Sequence, residues 1–290
     1  MFQAVCMINE NGVDYKSVEV ADTSFLSEGG YMPHWQEIFT GVPTNIYALS
    51  MNSFRTENLS SISILAGSTA FLLATDKLSY HLVKKNYFHN KTYHQLASYA
   101  VWMGDGKINF GIAGLFSAYG LLFEDNIALR TGIQCAESIL STGLTVQVLK
   151  RITGRESPAS STSQSGKWRM FPNPEKYQKD QSKYYSFPSG HLSTAVTTFT
   201  VIAENYPDNP YIKPLGYPLI GLLGVGLVAK NMHWFSDFPL AYALGYSFGK
   251  LITSANFSIH GKEQSSNPIN ISLMPTYINE SAGVGMMVSF

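Results

Sequence analysis

Hydrophobic residues recur at helical spacing through most of the middle of the chain, and the interruptions predict the elements. Asn58 to Ala74 reads as the first sustained helix, continued or followed by Lys77 to Val83, with a polar break at Asn86 to Lys91. His94 to Trp102 reads as a short helix. After the turn Gly104-Asp105-Gly106 another helix runs from Lys107 to Glu124, with Asp105 placed to accept its first amides. Asp125 or Asn126 caps the longest helix, Ile127 to Ile152, which stops at Gly154. His191 to Asn205 is helical and stops before Pro207. Leu215 to Asn231 is an apolar, glycine-rich helix. Phe238 to Ser254 closes the set, with Pro239 in the first turn, where proline is tolerated.

The two ends read differently. Residues 1–30 are an irregular lead with room for one short strand, and a short helix is expected at His34 to Phe39, before Pro43. Asn256 to Asn267 is a polar tail. Ile269 to Ile278 and Gly283 to Phe290 alternate about Asn279-Glu280-Ser281, the pattern of a β-hairpin. The expected fold is an all-α helical bundle with small terminal additions. Its divisions are an irregular lead over 1–55, a helical domain over 56–256, and a polar tail with hairpin over 257–290. Gly111, Gly114 and Gly120 would each cost an isolated helix about 1 kcal/mol relative to alanine, so close helix packing is expected there. Residues 155–186 form a long non-helical segment inside the core, and a loop of that length in a compact domain points to function.

Composition narrows the picture. The formal net charge is +0, and charged residues make up 14% of the chain, against roughly 25% in soluble domains. No basic balance points to nucleic acid as a partner. Two cysteines, Cys6 and Cys135, are too few for a disulfide framework. No basic start followed by an apolar run marks an ordinary signal peptide. The charge-free runs Asn58 to Thr75, Ile108 to Phe123 and Pro214 to Ala229 fall short of the roughly 20 apolar residues of a spanning helix. With a mean hydropathy of −0.01, the expectation is a soluble or peripheral bundle rather than an integral membrane protein.

The polar residues that carry chemistry cluster between Lys150 and Asp237. In Pro188-Ser189-Gly190-His191, Ser189 is a good N-cap, and the amides after it form an anion site with a histidine in the same turn. An ordinary capped helix has the same letters. His233 and Asp237 are four apart, a spacing at which the carboxylate can fix one imidazole nitrogen and leave the other free as nucleophile or base. No third or fourth ligand accompanies them, so no metal site is expected. Lys150, Arg151 and Arg155 put cations at the end of the longest helix, which suits its dipole and also an anionic substrate.

This order of motifs resembles the type 2 phosphatidic acid phosphatase family, whose superfamily includes bacterial class A acid phosphatases, glucose-6-phosphatase and the vanadium haloperoxidases. The family pattern is Lys, six residues, Arg-Pro; then Pro-Ser-Gly-His; then Ser-Arg, five residues, His, three residues, Asp. The resemblance implies that Lys150, Ser189 and Gly190 bind phosphate oxygens. It also implies that His191 protonates the leaving alcohol, that His233 forms a phosphohistidine and that Asp237 orients it. Both family arginines are absent, their positions taken by Ser157 and Leu227. Arg155 is the expected substitute phosphate-binding cation, followed by Lys230 and Arg169.

The implied activity is metal-independent hydrolysis of a phosphomonoester or diphosphate, with a phosphorylated small molecule or lipid as partner and no cofactor. Two rivals remain at this stage: a haloperoxidase that holds vanadate, and a non-catalytic phospholipid-binding envelope protein. By resemblance alone the location is the cell envelope or periplasm, with a possible peripheral membrane contact. The oligomeric state is not set by the sequence.

Overall fold

Three side chains start the helices that matter most. Asp105 accepts the Lys107 amide at 2.7 Å, Asp125 accepts that of Ala128 at 2.9 Å, and Ser189 accepts that of Leu192 at 3.4 Å. Each satisfies one of the amides that a helix start leaves unpaired. They open α4 (Gly106–Phe123), α5 (Asn126–Thr153) and α7 (Gly190–Asn205). The protein is described by a computed structural model covering residues 7–9, 12–14, 33–88, 91–263, 270–278 and 281–289, with side chains over 33–85 and 91–254. Cys6 and His89 lie outside the described residues, as does most of the lead over 1–30.

The other helices are α1 (Glu37–Ser53), α2 (Leu59–Phe88), α3 (Lys91–Met103), the short α6 (Pro174–Lys179), α8 (Ile212–Ala229) and α9 (Phe238–Glu263). One compact unit spans residues 18–253 and holds the bundle. Within it α5 is central, packing on α1, α4 and α7, while α3 packs on α8. Leu192, Leu223 and Leu227 are at most 4% exposed and form one core cluster with Ala195, Val196 and Ala241. Burying a leucine contributes about 2 kcal/mol relative to exposure. The expected all-α bundle is the fold observed. The second unit joins residues 1–17 with 254–290. In it Met7–Asn9 (β1) pairs antiparallel with Gly12–Asp14 (β2), and Asn270–Ile278 (β3) with Ser281–Ser289 (β4).

Four local differences from the sequence expectations have physical causes. Helix α1 runs through Pro43 instead of ending before it. Proline removes one helix hydrogen bond, and burial of Val42, Asn45 and Ala48 on one face outweighs that loss. Helix α2 is continuous over 30 residues and runs to Phe88, into the stretch read as a polar break from Asn86. Helix α9 continues to Glu263, into the stretch read as a polar tail. Of Gly111, Gly114 and Gly120 in α4, only Gly120 marks a close crossing: a Cβ there would lie 2.4 Å from the Leu129 amide nitrogen, whereas Gly111 and Gly114 face open space.

The surface also departs from the expectation of a soluble or peripheral bundle. Thr56–Lys85 and Ile212–Ala229 are both long and apolar enough to cross a membrane, and the apolar 18-residue window of the first has none of its residues buried. Ile64, Phe71, Leu78 and Leu82 of α2 are exposed, as are Leu115, Leu121 and Leu122 of α4 and Leu215, Leu219 and Leu222 of α8.

Candidate active site

The site forms where the end of α5, the start of α7 and the turn before α9 meet. Helix α5 ends at Gly154, which has φ 54°. A Cβ at this position would sit 1.8 Å from the Arg169 carbonyl oxygen, so glycine is required on two counts. The turn sends the chain into the loop 155–186 and leaves Lys150 in the last turn of α5. The α7 start is tied to the third motif by a bond from the Ser189 amide to the Asp237 carbonyl, 3.1 Å.

Around this junction the structure brings together Lys150, Ser189, Gly190, His191, His233 and Asp237. The rings of His191 and His233 are 6.2 Å apart between centroids. The Lys150 ammonium donates to the Tyr185 carbonyl at 2.5 Å and lies over the Tyr185 ring. A Cβ on Gly190 would be 3.8 Å from Lys150 Nζ. Among the described residues, the amides of Gly190 and His191 donate to no protein acceptor. His233 Nδ1 is 3.4 Å from Asp237 Oδ2, and its Nε2 is buried without a partner.

A buried polar atom without a partner is costly, so His233 Nε2 is a place for an incoming ligand. With the proton on Nδ1, directed at Asp237, Nε2 presents a lone pair. Burial lowers the proton affinity of His233; the Asp237 contact opposes this and Lys150 reinforces it. Burial, with His233 and Lys150 nearby, lowers His191 to about 4. For Asp237 burial acts upward, but Arg155 beside it, then the His233 contact, hold the carboxyl down at about 2. The arrangement is therefore an ionised carboxylate behind a neutral imidazole, facing a cation, two free amides and a second imidazole. It can accept an oxyanion and attack its central atom.

The substitute cations do not join this group. Arg155 is fully buried behind Asp237, where its Nη1 donates to Asp237 Oδ1 at 2.5 Å and to Ser236 Oγ at 2.7 Å. Its Nη2 donates to Asp76 Oδ2 at 2.6 Å and to the Ser165 carbonyl at 2.7 Å, and Nε donates to the same carbonyl at 3.3 Å. A guanidinium has five N–H donors, and all five are engaged, so none remains for an anion in the pocket. The expectation that Arg155 binds phosphate is corrected on that ground. Arg169 pairs with the buried Glu156 at 2.5 Å. Lys230 caps the C-terminus of α8, and no contact joins it to the histidines among the described residues.

The two positions where arginines were missing explain themselves. Leu227 is part of the apolar core, and Ser157 is buried with its amide bonded to the Ser182 carbonyl. Among the aromatics of the loop 155–186, Trp168 packs on Arg155 and Tyr185 on Lys150. Phe171 is exposed, and Tyr184 stacks on Tyr177.

Sequence reasoning missed Asp76, which is fully buried and joins Arg155, Ser165 and Ser236. It also missed Ser186, whose hydroxyl donates to Asp237 Oδ2 at 2.6 Å. One signal for Asp76 was there: it is the first charge after the long charge-free run that begins at Asn58. A carboxylate in such a helix needs a partner.

Residues 131–259 match the family model described as the PAP2 superfamily. No curated protein matches the chain. Among solved structures, a transmembrane PAP2 type phosphatidylglycerolphosphate phosphatase from Bacillus subtilis is similar, with 12% identity, 80% of this chain and 98% of that chain covered, and a TM-score of 0.45. Together with the order Lys150, Ser189-Gly190-His191 and His233-x-x-x-Asp237, the family match means that the segment 131–259 of this chain belongs to the PAP2 superfamily.

Proposed function

We propose that the protein is a PAP2-type phosphatase that hydrolyses a phosphomonoester or diphosphate, carried on a lipid, through a phosphohistidine. The observation that carries this reading is the buried, unpartnered Nε2 of His233, set among Lys150, the free amides of Gly190 and His191, and the His191 ring. The phosphoryl group sits on Lys150 and the α7 amides, a helix N-terminus suited to an anion. His233 Nε2 attacks phosphorus and the bond to the leaving oxygen breaks. His191 gives that oxygen a proton, and a bound phosphate next to the imidazole favours its charged form. Water then attacks the phosphohistidine, His191 takes the proton back, and phosphate leaves. Asp237 holds the Nδ1 proton and the positive charge of the intermediate.

A lipid substrate and a membrane setting are supported by the apolar side chains that α2, α4 and α8 leave exposed. Helix α2 spans about 45 Å at 1.5 Å per residue, more than the roughly 30 Å of hydrocarbon in a bilayer. An apolar helix window with nothing buried in the fold is suited to lipid and not to water. We read α2 and α8 as crossing the membrane.

The test is release of phosphate from p-nitrophenyl phosphate and phosphatidic acid by the detergent-solubilised protein in EDTA, with phosphoprotein trapped by quenching in alkaline dodecyl sulfate. Phosphate release with an alkali-stable, acid-labile phosphoprotein is expected. Absence of both would overturn the reading. A pH dependence follows from Lys150, which burial lowers to about 8 while the Asp237 charge opposes that shift. The ammonium is charged below this pH and neutral above it, so KM should rise as pH passes about 8. In Lys150→Arg the guanidinium stays charged and that limb should disappear. A KM for wild type that is flat up to about pH 9.5 would count against Lys150 as the phosphate cation.

A further inference from the structure

We propose that Asp76 and Arg155 are positioning residues for His233, acting through Asp237 along one buried line of charge. This rests on the phosphatase reading for its kinetic consequence, though not for its geometry. The line runs Asp76, Arg155, Asp237, His233, and all four side chains are fully buried. Arg155 bridges the two carboxylates with one amino group each, 2.6 Å to Asp76 Oδ2 and 2.5 Å to Asp237 Oδ1. Its guanidinium centre lies 4.9 Å from the Trp168 ring and 5.8 Å from that of Trp234. The Trp234 indole is itself fixed by a bond to the Glu156 carbonyl, 2.9 Å. With all its donors engaged and two indoles beside it, Arg155 is held in one orientation.

Every contact made to Asp76 comes from a donor. Arg155, the Ser165 hydroxyl at 3.1 Å, the Ser236 hydroxyl at 2.6 Å and the Ser236 amide at 3.3 Å converge on it. That set fits an ionised carboxylate, which only accepts. Ser236 precedes Asp237, so Asp76 grips the backbone turn that carries the catalytic carboxylate as well as the cation behind it.

The charge arithmetic gives Asp76 its purpose. Arg155 facing Asp237 alone would form a neutral pair and leave little negative charge for the imidazole. With Asp76 as the second carboxylate, the three groups carry one net negative charge at His233. Asp237 Oδ1 is turned to Arg155, and Oδ2, held by the Ser186 hydroxyl and the Trp234 amide at 2.8 Å, is directed at His233. Three buried charges are an expensive way to stabilise a fold, and apolar residues of similar volume commonly do as well. A residue line that ends on the nucleophile's orienting carboxylate is better explained by the reaction.

The test uses Asp76→Asn in the full chain in detergent micelles, with Ser236→Ala as the milder second variant and His233→Ala as control. Asp76→Asn should lower kcat about 10- to 100-fold with KM within about twofold, since small misplacements of reacting groups cost that much. Removing the Asp76 charge leaves Arg155 less balanced, which lowers the proton affinity of His233. Lys150 and His191 also face His233 and are unchanged, so the acid limb of kcat/KM should move to lower pH. The 15N resonances of His233, assigned by their loss in His233→Ala, should report a changed tautomer balance in Asp76→Asn. Ser236→Ala should do the same more weakly, with about a 3- to 10-fold loss of kcat.

Wild-type kcat per folded molecule with unchanged His233 resonances in Asp76→Asn would overturn the proposal, even if the variant melts earlier. Where Asp76→Asn does not fold, the same result in Ser236→Ala overturns it. If His233→Ala is as active as wild type, the phosphatase reading fails, and the resonances alone then decide whether Asp76 sets the imidazole.

Discussion

His233→Ala is expected to lower kcat/KM for phosphate esters by roughly four to six orders of magnitude, the scale of loss when a covalent nucleophile is removed from an enzyme. The imidazole is fully buried, with its Nε2 unpartnered and its Nδ1 on the Asp237 side, so no neighbouring group stands ready to replace it. His191 is the nearest imidazole, at 6.2 Å between ring centroids, but among the described residues no carboxylate is bonded to its ring to set a tautomer. The acid-labile phosphoprotein should vanish in the variant. Free imidazole should restore part of the turnover by occupying the vacated space. The control is a folded variant with the wild-type far-ultraviolet dichroism. Equal phosphate release from variant and wild type would remove His233 from the mechanism, and a phosphoprotein that persists would move the nucleophile elsewhere.

The helices were legible because local chemistry and burial agree. Asp105, Asp125 and Ser189 sit at helix starts and cap them, and Gly154 ends α5 in the left-handed region. Pro43 was misread because it looks like a break locally, whereas the helix runs on through it with Val42, Asn45 and Ala48 buried on one face. The pairing of His233 with Asp237 was legible because four residues bring both to one turn. The role of Arg155 was not. Its place in the chain, one residue after Gly154, puts it next to the pocket, and only the folded loop reveals two carboxylates, two indoles and the Ser165 carbonyl behind the site to hold it. A spacing rule gives proximity along one element. It cannot tell which of two directions a long side chain takes when the acceptors come from α2 and from a turn more than 80 residues later.

That direction makes Arg155→Met a sharper test than its presence in the sequence suggested. Removing the guanidinium leaves Asp76 and Asp237 both buried and without their shared cation. Breaking one partner from a buried ion pair costs about 3–5 kcal/mol, so the variant should melt well below wild type. Its kcat should fall as well, because Asp237 loses one of its anchors, while inhibition by inorganic phosphate should be unchanged, because Arg155 has no donor in the pocket. A phosphate inhibition constant that rises tenfold or more would restore Arg155 as the substitute phosphate cation and refute the buried-line arrangement. The double variant Asp76→Leu with Arg155→Met separates the two effects. It removes one of the stranded carboxylates, so its melting temperature should recover part of the loss, with a coupling of about 1–3 kcal/mol between the two sites. Its kcat should not recover, since the anchor on Asp237 is still missing. Stability and turnover moving together in that double variant would mean that the line serves the fold alone.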